Sequence, residues 1–247
     1  MKRSDHRATY WPLLALLAFL TASTSTSAGE VVELDDISVH VEWNSTDTDY
    51  GIQFFWDSDG FTRMRVSNES GKTVLDVKTK KNVRAQGLTE GFFESVEPPS
   101  AVLSMEQFFE RFPEGVYTFR GKGTEGEKLE GETEFTHTLP APPANLSPTG
   151  GEIVSADGFL AGFDPVTEDT EGNALDIEYY VLVLEKLDDE PILQVFEVIL
   201  PPTQTSIAIP GEFLEPDTEY KLEIIAQEES GNRTITETGG FSTDDAS

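Results

Sequence analysis

Apolar residues recur at every second position over much of this chain. Ile37, Val39, Val41 and Trp43 alternate with Ser38, His40 and Glu42, so one set faces a core and the other faces outward. Six such runs are predicted as strands in the first half: Val31 to Trp43, Tyr50 to Trp56, Phe61 to Ser67, Thr73 to Lys78, Val116 to Lys122 and Lys128 to His137. Seven more follow, at Glu152 to Ser155, Gly158 to Phe163, Ile177 to Lys186, Ile192 to Leu200, Thr205 to Pro210, Tyr220 to Gln227 and Arg233 to Ser242. Short strands broken by turn residues are the pattern of sandwiches and barrels. The turn signal Asp57-Ser58-Asp59-Gly60 predicts a hairpin joining two of the runs. One helix is predicted, Met105 to Phe112, capped by Ser104 and closed by Pro113.

The stretch Leu139-Pro140-Ala141-Pro142-Pro143-Ala144 interrupts this pattern, because proline removes ladder donors and favours an extended, semi-rigid backbone. It predicts a linker at 139–144 between a domain at 29–138 and another at 145–247. The expected fold class is all-β: two tandem immunoglobulin/fibronectin-like β-sandwich domains, the first elaborated by an insertion from Gly87 to Phe112 that carries the short helix.

The segment Leu214-Glu215-Pro216-Asp217-Thr218-Glu219-Tyr220-Lys221-Leu222 resembles the approach to the sixth strand of fibronectin type III domains, as found in bacterial secreted proteins. The resemblance implies that the Tyr220 hydroxyl turns back to the backbone a few residues upstream. Pro143 to Pro148, Phe159 to Phe163 running into Asp164-Pro165-Val166, and Tyr179 to Val183 extend the match over the second half. One departure is Phe163, which stands where the family usually has tryptophan. The first half repeats the corner pattern in Phe112-Pro113-Glu114-Gly115-Val116-Tyr117-Thr118-Phe119. Each corner then leads to a glycine-containing turn, Gly123 to Gly126 or Ser230 to Asn232, and to a last strand ending near Phe135 or Phe241. Related sandwiches in tandem are therefore expected.

Residues 1–28 carry a basic start (Lys2, Arg3, Arg7), an apolar core from Leu13 to Leu20 and the small residues Thr26-Ser27-Ala28, which together read as a secretory signal. Export to periplasm or medium is expected, with no membrane insertion after cleavage, since that apolar run is shorter than the roughly 20 residues of a bilayer span. Cysteine is absent, which excludes disulfides, thiolate metal sites and a cysteine nucleophile. The absence of disulfides from an exported chain of this size favours a bacterial setting. The net charge of −29 argues against nucleic acid as a partner and leaves cations or basic partners open.

Catalytic signals are thin. After residue 28 the chain has two histidines, His40 and His137, both in predicted strands and neither in a motif. No Gly-x-Ser-x-Gly turn occurs, and Gly121-Lys122-Gly123 lacks the rest of a phosphate loop. Three acidic loops, Asp47-Thr48-Asp49-Tyr50-Gly51, Asp57-Ser58-Asp59-Gly60 and Glu168 to Asn173, invite comparison with calcium loops but lack the closing ligands and read as turns. No catalytic residue, cofactor or metal ligand is assigned. The pairs Phe54-Phe55 and Phe92-Phe93 must each split between two faces of a strand, and the inserted helix is expected to cover the outward members.

The expected function is thus an exported, non-catalytic binding or scaffold protein that contacts protein or glycan through its sandwich surfaces. Alternatives are a polysaccharide-binding accessory protein of an extracellular hydrolase or adhesion system, favoured if Trp43 and Trp56 are exposed and coplanar, and a hydrolase using surface carboxylates.

Overall fold

The computed structural model of the 247-residue chain describes residues 29–34, 36–187 and 193–245. The signal-like stretch 1–28 lies outside the described residues. The first half contains β1 (Val31–Glu33), β2 (Ile37–Asn44), β3 (Asp49–Ser67), β4 (Thr73–Lys78), α1 (Lys81–Gln86), β5 (Leu88–Glu94), α2 (Met105–Arg111), β6 (Gly115–Gly123) and β7 (Lys128–Phe135). The second half contains β8 (Ile153–Val154), β9 (Gly158–Gly162), β10 (Ile177–Lys186), β11 (Leu193–Leu200), β12 (Ser206–Pro210), β13 (Glu219–Glu228), β14 (Arg233–Glu237) and β15 (Phe241–Thr243). Buried side chains form one cluster from Leu34 to Leu139 and another from Ala161 to Phe241. The molecule is all-β, with one sandwich on either side of the proline-rich stretch.

The 19-residue strand β3 organises the first sandwich, and here the expected hairpin does not form. Its first part pairs with β2 on one side and β5 on the other; its last part pairs with β4 and β6. Residues Asp57 to Gly60 are a bend inside that strand, with a register shift against β5 and Gly60 at φ +143°. The reason is the five-residue spacing from Trp56 to Phe61. A regular strand would aim these side chains at opposite faces, whereas the bend lets both bury fully in one core, 5.4 Å apart and edge to face. One strand thereby serves both layers.

The segment expected as a plain insertion supplies a strand of its own. On β5, Phe93 stacks on Trp56 at 5.1 Å, and Gly91 lies opposite the indole. A Cβ on Gly91 would approach the Trp56 ring to 2.3 Å, so only glycine admits the indole here. The predicted helix forms as α2 with a complete Ser104/Gln107 capping box, and it buries Phe108 against Tyr50 at 5.0 Å. Burial of one phenylalanine contributes about 2 kcal/mol or more, which anchors the helix over that end of the core.

In the second sandwich β9 pairs with β12, and this pair faces the sheet β11-β10-β13-β14. The last expected strand is divided into β14 and β15, with β15 pairing β13 and β8. Phe163 fills the slot expected for tryptophan by packing edge-on to Tyr180 at 4.8 Å. Both tyrosine corners are present. The Glu215 N–H donates to the Tyr220 hydroxyl at 2.8 Å, and the Tyr117 hydroxyl donates to the Pro113 carbonyl at 3.1 Å.

The two sandwiches are joined through their sheets. Strand β14 pairs in parallel with β2, matching Arg233 to Glu42, Thr234 to Trp43 and Ile235 to Asn44. Asn232, fully buried beside this seam, accepts from the Val41 N–H at 2.7 Å and donates to the carbonyls of Thr136 and Thr138 at 3.0 and 2.9 Å. The Thr234 hydroxyl donates to the Pro140 carbonyl at 2.7 Å, so the proline-rich stretch is tied to the second sandwich. These bonds span some 90 to 190 positions of sequence.

Candidate functional site

The seam places polar side chains of β2, β3, β5 and β14 on one outward face. Alternation on β2 sends Val39 and Val41 into the core and His40 and Glu42 outward, while Gln53 on β3 lies opposite both His40 and, across the strand, Glu94 of β5. Arg233 arrives from the other sandwich. It pairs with Glu42 at 2.5 Å and donates to the Gln53 amide oxygen, which His40 Nε2 also contacts at 2.8 Å. Because that oxygen can only accept, His40 Nε2 carries a proton and Nδ1 is left buried and unpartnered. Burial, and then the Arg233 charge, hold the His40 ring down at about 4, so it is neutral at physiological pH.

Glu97 completes the cluster. Its carboxylate and those of Glu42 and Glu94 have ligand-type atoms within 4.8 Å of one another. Although Glu97 keeps solvent contact, burial pushes it up to about 7, with help from Glu42, Glu94 and Asp49. Glu42 is also raised, by burial, against the opposing pull of Arg233. Three carboxylates at this spacing can bridge a hard cation or share a proton. Two of them are already engaged, Glu42 by Arg233 and Glu94 by the Gln53 amide at 2.7 Å, so the set fits a cation only in part. The principal surface grooves are lined by other residues.

The residues singled out in the sequence are dispersed. His137 lines a shallow groove with Glu114, Asp169 and Glu171, but its ring stacks on Phe109 at 3.8 Å and its Nε2 meets the Phe112 carbonyl at 2.7 Å. Glu114 in turn accepts from the His137 backbone, and these contacts hold α2 to the end of β7. In the loop Glu168 to Asn173, Asp169 accepts from Asn173 and from the backbone of Glu171, and those bonds hold its carboxyl below the usual range. Asp57 caps the Ser58 N–H within the β3 bend. The carboxylate of Asp169 thus shapes a turn, and that of Asp57 supports the bend inside β3.

Trp56 is fully buried and Trp43 half-buried, so these two do not form an exposed coplanar platform. The inserted helix covers Tyr50 and leaves Phe92, 54% exposed, on the open face of β5. The cluster escaped sequence reasoning because Glu42, Gln53, Glu94 with Glu97, and Arg233 come from four separated segments. Only the period-two pattern of β2 gave a signal, by turning His40 and Glu42 to the same side.

A second concentration of charge lies on the outer face of the first sandwich, where Arg63, Arg65, Arg120 and Lys122 line an open groove of about 610 Å³.

No family model matches the chain, and no curated protein matches it. Solved structures similar to it include the FN1–FN3 domains of chicken CNTN1, at 12% identity and a TM-score of 0.37 over 86% of this chain and 69% of that one. A redesigned β-sandwich protein aligns at 21% identity with a TM-score of 0.34, over 43% of this chain and 98% of its own. The fn3 domain of the human collagen alpha-1(XX) chain aligns at 19% identity with a TM-score of 0.32, over 44% of this chain and 90% of its own. The sandwich assignment rests on this chain's own strand pairing and its two cores.

Proposed function

We propose that this chain is an exported, non-catalytic binding or scaffold protein, which contacts protein or glycan through the outer faces of two sandwiches held in fixed relation. The carrying observation is the seam: β14 paired to β2 and the buried Asn232 bonded to both sides of it. Such a seam holds two recognition faces in one orientation, so an extended partner can meet both without ordering a flexible linker. The polar groups most suggestive of chemistry support the same reading, because His40 Nε2, His137 Nε2 and the Asp169 carboxylate are each engaged in structural hydrogen bonds. Export is inferred from residues 1–28.

Two measurements test this reading. Expression in a bacterium with N-terminal sequencing of the exported product is expected to give a chain starting near Gly29; retention inside the cell overturns export. A screen of the purified protein against glycosidic, ester and peptide substrates is expected to be blank, and turnover lost on mutating Glu97 overturns the non-catalytic reading.

A further inference from the structure

The chain has 46 acidic residues against 17 Lys and Arg, yet strand register gathers six of the basic ones on one sheet face. Lys78 of β4 lies opposite Arg63 of β3, Arg63 opposite Lys122 of β6, and Lys122 opposite Lys128 of β7. Four cations thus stand in a row across four strands, spanning about 14 Å at the usual strand spacing. Two residues along, Arg65 and Arg120 form a second pair, flanked by Asp76 on one side and Glu130 on the other.

Like charges directly opposite one another weaken a sheet. Asp76 relieves only part of this, binding Arg63 at 2.6 and 2.9 Å and Arg65 at 3.2 Å. Lys78, Lys122, Lys128 and Arg120 have no side-chain hydrogen bond or ion pair among the described residues. A fold so rich in acid could have paired each of them, so the uncompensated row is a cost that an external anion would offset.

We propose that this row binds a linear acidic polysaccharide, a sugar chain bearing carboxylate or sulfate groups, laid across the strands. The proposal rests on the binding reading above and names the class of partner for one of its faces. Three features favour a single sugar chain. Its units advance by little more than one strand spacing, so successive charges can meet successive strands. The groove at the row adds Ser67, Thr73 and Thr118, which can hydrogen-bond sugar hydroxyls, and one carboxylate, Glu69; it has no aromatic or aliphatic lining. Without aromatics there is no stacking platform for nucleic-acid bases, and without aliphatics there is nothing to insert among lipids. Finally, Glu130 and Glu132 border the basic rows, which restricts the track to one narrow chain.

The test is titration of the full-length protein with polygalacturonate and with dextran sulfate, using neutral dextran, poly-glutamate, single-stranded DNA and anionic vesicles as comparisons. Salt-sensitive binding to the first two is expected, with weaker or no response to the rest. The double variant Lys122→Glu, Lys128→Glu is expected to lose about tenfold or more in affinity. Its urea midpoint should stay level, because position 122 then meets Arg63 with opposite charge while positions 122 and 128 remain like-charged neighbours. Absence of binding by the wild type, binding unchanged in the variant, or equal or tighter binding of DNA, peptide or vesicles each overturns the proposal. Undiminished polymer binding in the variant would remove this face while leaving a binding protein. New reducing ends in the polymer would instead remove the non-catalytic reading.

Discussion

Replacing Asn232 by alanine attacks the seam at its most buried polar group. The Val41 N–H, which lies under a fully buried residue, loses its acceptor, and the carbonyls of Thr136 and Thr138 lose a donor. An orphaned buried N–H costs about 1–3 kcal/mol, and each part-buried bond contributes about 0.5–1 kcal/mol, so the loss should be about 3 kcal/mol. For a chain of this size that is a fall in melting temperature of about 6–12 °C. The assay can also locate the effect. In the chain from Gly29 onward the tryptophans are Trp43 and Trp56, both in the first sandwich, so fluorescence excited on tryptophan follows that half, while far-ultraviolet dichroism follows both. In the wild type the two urea transitions are expected to coincide; in Asn232→Ala they should separate as the halves uncouple. A loss below about 1 kcal/mol with transitions still coincident would refute the claim that Asn232 locks the sandwiches together.

Other consequences can be checked the same way. Tyr117→Phe and Tyr220→Phe each remove one corner hydrogen bond and should cost about 1 kcal/mol apiece in urea unfolding, additively because the corners belong to separate cores. Gly91→Ala drives a methyl group into the Trp56 indole and should cost about 1–3 kcal/mol, accompanied by a shift in tryptophan emission; an unchanged spectrum and midpoint would contradict the packing described. Glu97, raised from about 4.5 to about 7 in the fold, holds its proton more tightly folded than unfolded, so its contribution to stability falls as pH rises across that window. Stability curves of Glu97→Gln should lack that component and, relative to wild type, gain stability towards neutral pH. His40, lowered to about 4, acts in the opposite sense: the unfolded chain takes up its proton first, so stability is lost as pH falls from 6.5 towards 4. His40→Gln should flatten that acid limb.

Much of the β architecture could be read from local pattern. Six of the seven strands expected in the second half appear at nearly their expected bounds, and the seventh is divided in two. Helix α2 appears with its Ser104 cap, and both corners place tyrosine hydroxyls on upstream backbone, because these features depend on side-chain period, capping and turn chemistry within a few residues. Where the reading failed, a local signal lost to a distant one. Asp57 to Gly60 has hairpin chemistry, yet Trp56 and Phe61 share one core, and burying two large aromatics outweighs the preference of a turn. Strand β5 was hidden because its identity comes from pairing with β3 and from the indole over Gly91, not from its own alternation.

The sequence alone thus determined most of the strands, helix α2, the two tyrosine corners and the overall acidity, all of which follow from neighbours along the chain; α1 and β5 it did not reveal. Register and the joining of the sandwiches were decided by tertiary structure, since hydrogen-bonded ladders bring together residues separated by tens to nearly two hundred positions. The meeting of Glu42, Glu94 and Glu97 with Arg233, and the row from Lys78 through Arg63 and Lys122 to Lys128, exist only in that register. Net charge is a sum and carries no positions, which is why a chain at −29 can still present a cationic track.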